Sequence, residues 1–177
     1  VQTSKPLVES AALIPIYRDA AGDLRVVLIR RGAGGVHGGH LAFPGGKRDH
    51  EDASFAATAV REAWEEIGLP PADTEVLAEL PHIDTRTSGF RIYPILARIR
   101  RPTAWVPCER EVAEIVEPRI VDLARAEAHV TAVTYAVSAN DAPRVPFYRV
   151  GAHQLWGASY RIFHPLLPRL MAGEWPV

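Results

Sequence analysis

The sequence predicts an α/β domain with a mixed β-sheet covered by helices, and three observations lead there. Strand-like and helix-like patterns interleave along the chain. Several neighbouring strand candidates are joined by short turns, which implies antiparallel pairs beside any parallel ones. No repeat, low-complexity tract or linker interrupts the 177 residues. At 47% hydrophobic and 23% charged, the chain can bury a core without metal or disulfide staples, so 1–177 reads as one domain in which residues 1–10 form a loose arm.

Residues 11–17 and 24–30 are apolar, β-branched-rich runs separated by a turn at 19–23 that contains Gly22, so they read as a hairpin. A glycine-dense loop follows over 31–46. From residue 53 to 67 the pattern turns helical, and Gly68-Leu69-Pro70-Pro71 stops it with glycine followed by proline. Segments 75–80 and 90–100 are strand candidates joined by a polar loop, and 111–116 is a strand entry or short turn. Segments 120–129 and 155–170 are helix candidates, with a hairpin of 130–137 and 145–150 between them.

Composition excludes several functions. The single cysteine, Cys108, rules out an intrachain disulfide framework and any multi-cysteine metal site. A net charge of −1 gives no support for a nucleic-acid-coating protein. No apolar run approaches the ~18–20 residues of a membrane span, and no signal pattern opens the chain, so the default expectation is cytoplasmic. The chain begins at Val1 rather than methionine, and its oligomeric state is left open. Arginine outnumbers lysine 18 to 2, an excess that fits either coding bias or phosphate recognition by guanidinium groups.

The glycine loop fails two familiar nucleotide signatures. It has no Gly-Lys-Ser/Thr, and after Gly32 and Gly34 the third position of a dinucleotide fingerprint is His37. His37, His40 and His50 lack a partner at helix-fixed spacing, so they do not read as zinc ligands. Gly45 and Gly46, directly before the helix, are more pointed, because paired glycines let backbone N–H or carbonyl groups approach a ligand closely. On the helix, Phe55, Ala56, Ala59, Val60, Ala63 and Ile67 share one arc, the core face. Glu66 falls at the edge of that arc and Glu62 ~40° away, with Glu65 completing an i, i+3, i+4 set.

Such a cluster reads either as a solvated acidic face or as a cation site. Two unit charges ~6 Å apart at an effective dielectric of ~20 repel by about 3 kcal/mol. Like charges one turn apart disfavour a helix, and the last turn is where the macrodipole disfavours negative charge. A hard divalent cation, Mg²⁺ or Mn²⁺, removes these penalties and leaves positions for water and substrate phosphates.

Gly46-Lys-Arg-Asp-His-Glu-Asp52, then eight residues, then Arg61-Glu62-Ala63-Trp64-Glu65-Glu66-Ile67-Gly68-Leu69 resembles the signature of the Nudix hydrolases. The second half matches with Ala63 as the apolar position. The first half departs, with Asp52 where glutamate is expected and one residue more before Arg61, an insertion placed in the loop or first helical turn. Arg30, Gly39 and Phe43-Pro44-Gly45-Gly46 fit the spacing of an upstream signature of the coenzyme A diphosphatase subfamily, with Gly35 where its second arginine belongs. Pro146-Phe147-Tyr148-Arg149 and the stretch from Leu155 to Ile162 also look like that subfamily.

The resemblance implies an α/β/α sandwich and hydrolysis of a nucleoside diphosphate derivative, with coenzyme A or a derivative as substrate. Other diphosphate substrates such as ADP-ribose, NADH or a nucleoside triphosphate, and a non-catalytic ligand-binding regulator, are the alternatives. It also implies roles. Glu62 and Glu66 hold Mg²⁺ or Mn²⁺ with help from Glu65 and the Gly46 carbonyl, and Arg61 positions a carboxylate, the job the family's first acidic residue supports. Glu111 is the preferred general base, with Glu65 the runner-up, although Glu111 reads equally well as a surface glutamate. Arg30, Arg31 and Lys47 are the candidate phosphate contacts. Phe43, Phe90 and Tyr148 are the candidate substrate-contacting aromatics, and Tyr148 reads equally well as core.

Overall fold

The computed structural model describes residues 6–32, 39–85, 88–132 and 144–177. Along the chain run β1 (Val8–Arg18), β2 (Leu24–Val26), β3 (Leu28–Arg31), β4 (Leu41–Ala42), β5 (Gly45–Lys47), α1 (Phe55–Ile67), β6 (Thr74–Glu79), β7 (Ile83–Asp84) and β8 (Phe90–Ile99). Then follow β9 (Val112–Val116), α2 (Ile120–Leu123), β10 (His129–Ala132), β11 (Val145–Val150), β12 (His153–Leu155) and α3 (Gly157–Met171).

β1 organises the molecule. It pairs parallel with β8 and antiparallel with β2 and β5, while β6 and β7 add antiparallel to β8, which makes the central sheet mixed. Its residues from Ser10 to Tyr17 are all buried, because both faces of the sheet are covered. Ala12, Ile14 and Ile16 enter a core shared with α2 and α3; Ala11, Leu13 and Tyr17 enter a second core shared with α1. A strand buried on both faces reads as a continuous apolar run rather than an alternation, and the result is the expected α/β/α arrangement. Two three-stranded sheets, β4-β3-β9 and β10-β11-β12, complete it.

The structure corrects several expectations. The loose arm stops short, because Val8–Ser10 already belong to β1 and pair with β8 and β5; residues 1–5 lie outside the described residues. The expected strand over 24–30 is split at Val27. Val27 N–H donates to Pro15 O at 2.9 Å, but Pro15 has no N–H to return, so the ladder with β1 ends and β3 leaves to pair with β4 and β9. Segment 112–116 is a full strand. The helix expected over 120–129 lasts one turn, and Arg125 is extended at ψ 144°, which frees His129 to begin β10 opposite Tyr148. The rest of the glycine loop over 33–38 and the hairpin tip over 133–143 fall outside the described residues.

α1 is set by local chemistry at both ends. The Ser54 hydroxyl accepts from Ala57 N–H at 3.1 Å, and Gly68 closes the last turn at φ 69°, its N–H donating to Trp64 O. A Cβ at Gly68 would lie 2.8 Å from Val106 Cβ. Gly68→Ala is therefore expected to cost about 1–2 kcal/mol, measured as a lower urea midpoint; an unchanged midpoint would show that this cap is dispensable.

Candidate active site

The helix period places Glu62, Glu65 and Glu66 on α1, and tertiary packing then treats each differently. Glu66 is 1% exposed. It accepts a hydrogen bond from Gly45 N–H at 2.8 Å and makes no ion pair within 4 Å among the described residues. Burial pushes its carboxyl up to about 7; Gly45 N–H and Arg31 work against the shift, while Glu62 and Glu111 reinforce it. Glu62 is half-buried and also raised, chiefly by burial, against the opposing pull of Arg61. Glu65 is exposed.

Arg61 is the hub. Its Nε and Nη2 donate to the two oxygens of Asp52 at 3.0 and 2.9 Å, its Nη1 to Glu62 at 2.9 Å and Glu65 at 3.2 Å, and its Nη2 also to Lys47 O at 3.1 Å. Asp52 thus takes the arginine in a two-pronged grip despite its shorter side chain and the extra residue. Ahead of the longer 53–60 stretch, Asp52 is set by a turn in which its N–H donates to Asp49 O and Asp49 N–H donates to its carboxylate. The guanidinium holds the Asp52 carboxyl well below its usual range.

The two glycines have separate reasons. A Cβ on Gly45 would collide with the backbone of Ala11 and Ala12, so glycine is what lets β5 lie against β1. A Cβ on Gly46 would occupy the space of the Glu62 carboxylate. The main chain at Gly46 and this carboxylate therefore share one small space, and together with Glu66 they present only hard oxygen donors. Such a set fits a divalent cation of the Mg²⁺ or Mn²⁺ kind. No three His, Cys, Asp or Glu side chains among the described residues already converge into a cage.

Glu111 comes from a separate segment of the chain. Residues 106–108 cover the end of α1, with Val106 N–H on Ile67 O and Cys108 N–H on Glu66 O. Glu111 is then fixed by its N–H on Cys108 O and by its carbonyl, which accepts from Gly32 N–H at 2.7 Å. Its carboxylate is exposed and close enough to raise Glu62 and Glu66.

The other expected residues divide. On β3, Leu28 enters the α3-side core and Ile29 the α1-side core. Arg31 acts electrostatically on Glu66, whereas Arg30 is tied to Glu114 at 3.0 Å, an oxygen it shares with His153. Lys47 is exposed and contributes its carbonyl to Arg61. Phe90 is half-buried, and its main chain closes the turn with Thr85. Phe43 and Tyr148 are corrected: each is 3% exposed in the α3-side core, Phe43 beside Phe163 and Tyr148 with its hydroxyl on His164 Nδ1. Sequence reasoning missed Thr58, fully buried, whose hydroxyl donates to Ser54 O at 3.2 Å and which helps hold the Asp52 carboxyl low; a threonine inside an alanine-rich helical arc was the available signal.

Because Asp52 has a depressed carboxyl, its contribution to stability is present above the unfolded value of 3.8 and is lost as pH falls through that value toward the folded one. Asp52→Asn is expected to cost about 2 kcal/mol at neutral pH, with the gap from wild type closing progressively as thermal melts are taken below about pH 4. A gap independent of pH would show that the ion pair is not its source.

A family model of the NUDIX domain matches residues 7–139. An uncharacterized Nudix hydrolase of Pectobacterium atrosepticum, NudL, is 42% identical over 110 residues, which cover 62% of this chain and 56% of that protein. The chain therefore matches little more than half the length of that relative. The crystal structure of the Nudix hydrolase RenU of M. smegmatis is 25% identical with a TM-score of 0.57, over 68% of this chain and 76% of that one. A MutT/nudix family protein of Enterococcus faecalis, 19% identical with a TM-score of 0.56, has the same fold over 95% of this chain and 64% of its own. With the glycine pair, the Arg61 hub, the carboxylate helix and Glu111 all inside the matched span, the chain belongs to the Nudix hydrolase family.

Proposed function

We propose that this protein hydrolyses the diphosphate linkage of coenzyme A or a coenzyme A derivative, giving 3',5'-ADP and a phosphopantetheine product, with Mg²⁺ or Mn²⁺. The observation that carries hydrolysis is Glu66, a carboxylate buried without an ion-pair partner within 4 Å among the described residues and grouped with Glu62 and the Gly46 main chain. A protein that only bound ligand gains nothing from keeping this repulsive group, which argues against the regulator reading. The substrate assignment rests on the spacing of Arg30, Gly39 and Phe43-Pro44-Gly45-Gly46. The presence of Gly35 where the subfamily has arginine, together with the tie of Arg30 to Glu114, keeps another nucleoside diphosphate derivative as the second reading.

Glu62, Glu66 and the Gly46 carbonyl would hold the cation, with Glu65 assisting. What a bound divalent cation supplies is neutralisation of phosphate charge and a lowered pKa for water. Arg61 acts through others: by gripping Asp52 it orients the Glu62 and Glu65 carboxylates. Arg31, on the Glu66 side of β3, faces the developing charge of the phosphates. Glu111, carried in on its own loop and exposed, takes the proton of the attacking water, and the diphosphate P–O bond breaks toward the leaving phosphate.

The decisive assay compares coenzyme A, ADP-ribose, NADH and dinucleoside polyphosphates with Mn²⁺ and with Mg²⁺. Coenzyme A or its thioesters are expected to be preferred, and Glu66→Gln is expected to lose at least the ~100-fold typical of disturbed metal sites. Near-wild-type turnover by Glu66→Gln would sink the role given to it, and failure on every substrate would revive the regulator.

A second expectation concerns pH. Glu66 holds its proton up to about 7, and a cation must displace that proton, so metal affinity rises as pH rises through this value. The increase in melting temperature produced by Mn²⁺ should grow between about pH 6 and about pH 8, and this growth should vanish in Glu66→Gln.

A further inference from the structure

Residues 47–52 carry the anchors that Arg61 has outside its own helix, which are Lys47 O and both oxygens of Asp52. Two side chains that flank Asp52 in the sequence, Arg48 and Phe55, meet on one ring stack. The Phe55 ring lies flat on Tyr93, with centroids 3.5 Å apart and planes 9° apart. That leaves its other face to the Arg48 guanidinium, whose Cζ is 4.7 Å from the ring centroid. His82 closes on Tyr93 at 5.4 Å. Tyr93 stands on β8 in the row that runs through Ala11 of β1 to Gly46 of β5, so the stack ends on the part of the sheet that sets Gly46 beside Glu62.

Arg48 is held at three points besides the ring. Its backbone N–H donates to Glu9 O at 3.1 Å, its Nη2 donates to Asp52 O at 3.3 Å, and its Nη1 lies 3.7 Å from the Glu9 carboxylate. The pair with Glu9 does not account for this placement, because a long contact between two partly exposed side chains contributes little. Burial does not account for Phe55 on Tyr93 either. Both are half-buried at the rim of the α1-side core, where an aliphatic side chain would cover the same surface. A flat ring contact with a cation over its outer face fixes orientation as well. Asp52 thus receives Arg48 on its main-chain oxygen and Arg61 on its carboxylate, and positions 48 and 55 on either side of it are closed against β8.

We propose, resting on the hydrolytic reading above, that Arg48, Phe55 and Tyr93 are positioning residues of the cation site. The stack holds both ends of the Asp52 turn on the sheet, Asp52 holds Arg61, and Arg61 orients Glu62 and Glu65. Partners that act on a metal site through its ligands in this way are worth roughly 10–100-fold in metal affinity or activity.

The test reads Arg61 directly. Its side-chain ¹Hε–¹⁵Nε signal is followed at neutral pH in metal-free protein, where the Nε–H bond to Asp52 at 3.0 Å slows exchange with water. Mn²⁺ alone is then titrated through its effect on water proton relaxation. Tyr93→Leu keeps apolar bulk without the flat face, and Arg48→Met keeps length without the guanidinium. Both are expected to lose the Arg61 signal, to bind Mn²⁺ at least ~10-fold more weakly, and to lower kcat with KM little changed. Tyr93→Phe, which retains the ring, is expected to keep all three at wild type. Ile99→Ala, in the same core at the far end of β8, is the stability control, expected to lower the melting temperature and leave the signal and the Mn²⁺ affinity alone. If Tyr93→Leu does not fold, the partly exposed Arg48→Met carries the comparison. A wild-type signal and Mn²⁺ affinity in Tyr93→Leu and Arg48→Met would overturn the proposal, and so would the same losses in Ile99→Ala or no saturable Mn²⁺ binding by the unmodified protein. A KM that rises with kcat unchanged would also overturn it, since the stack would then touch the substrate. The signal and the Mn²⁺ titration need no turnover, so failure on every substrate would sink the hydrolytic reading while these two readouts still judge the stack.

Discussion

A carboxylate taken out of water without a cation beside it is a large electrostatic cost, and in this molecule that carboxylate is Glu66. Burying an ion is tolerated when it is paired or when it keeps its proton. Here one backbone N–H from Gly45 partly offsets the cost, and the proton covers the remainder up to about 7. Around it the other charges are sorted. Arg61 spends its donors on Asp52, Glu62, Glu65 and Lys47 O, so the strongest cation in the neighbourhood is committed and does not neutralise Glu66. The group stays poised for a charge that comes from outside the chain.

That poise depends on the middle of the sheet. Gly45 can donate to Glu66 only because β5 lies against β1, and β5 can lie there only because glycine carries no side chain to strike Ala11 and Ala12. β1 in turn is held by being buried on both faces, with α1 on one and α2 and α3 on the other. The position of one carboxylate is thus linked, through a strand contact with no room for a methyl group, to both hydrophobic cores. Interiors packed to crystal density transmit such constraints rather than absorb them.

What could be read from the residues follows the length scale of the signal. α1, thirteen residues with a cap at each end, shows its period, its stop and its carboxylate edge plainly. β4, β5, β7 and β12 are two or three residues each, too short for a period-2 pattern to exist. The expected helix over 120–129 misled because Ala124, Ala126 and Ala128 favour helix by propensity, while pairing of His129 with Tyr148 rewards leaving it. The aromatics failed for a different reason. Whether Phe43 or Tyr148 faces a ligand or a core depends on which side of a sheet it leaves from, and nothing local to either residue specifies that. Asp52 was legible as an anomaly but not as a solution, because its reach to Arg61 depends on how the turn at 49–52 bends.

The arginine excess can now be weighed physically. Arg61, Arg91, Arg101, Arg119 and Arg169 are each forked onto both oxygens of a single carboxylate, a planar two-point contact that lysine cannot make. With Arg25, Arg30, Arg48, Arg98, Arg100 and Arg125 also ion-paired, most of the excess is occupied in joining strands, turns and helix ends, and the net charge of −1 is the sum of pairs rather than the mark of a neutral surface. Phosphate recognition is left to the few guanidiniums outside such pairs. Arg31, which makes no ion pair within 4 Å among the described residues, is one of these, and it acts on Glu66 in the carboxylate cluster.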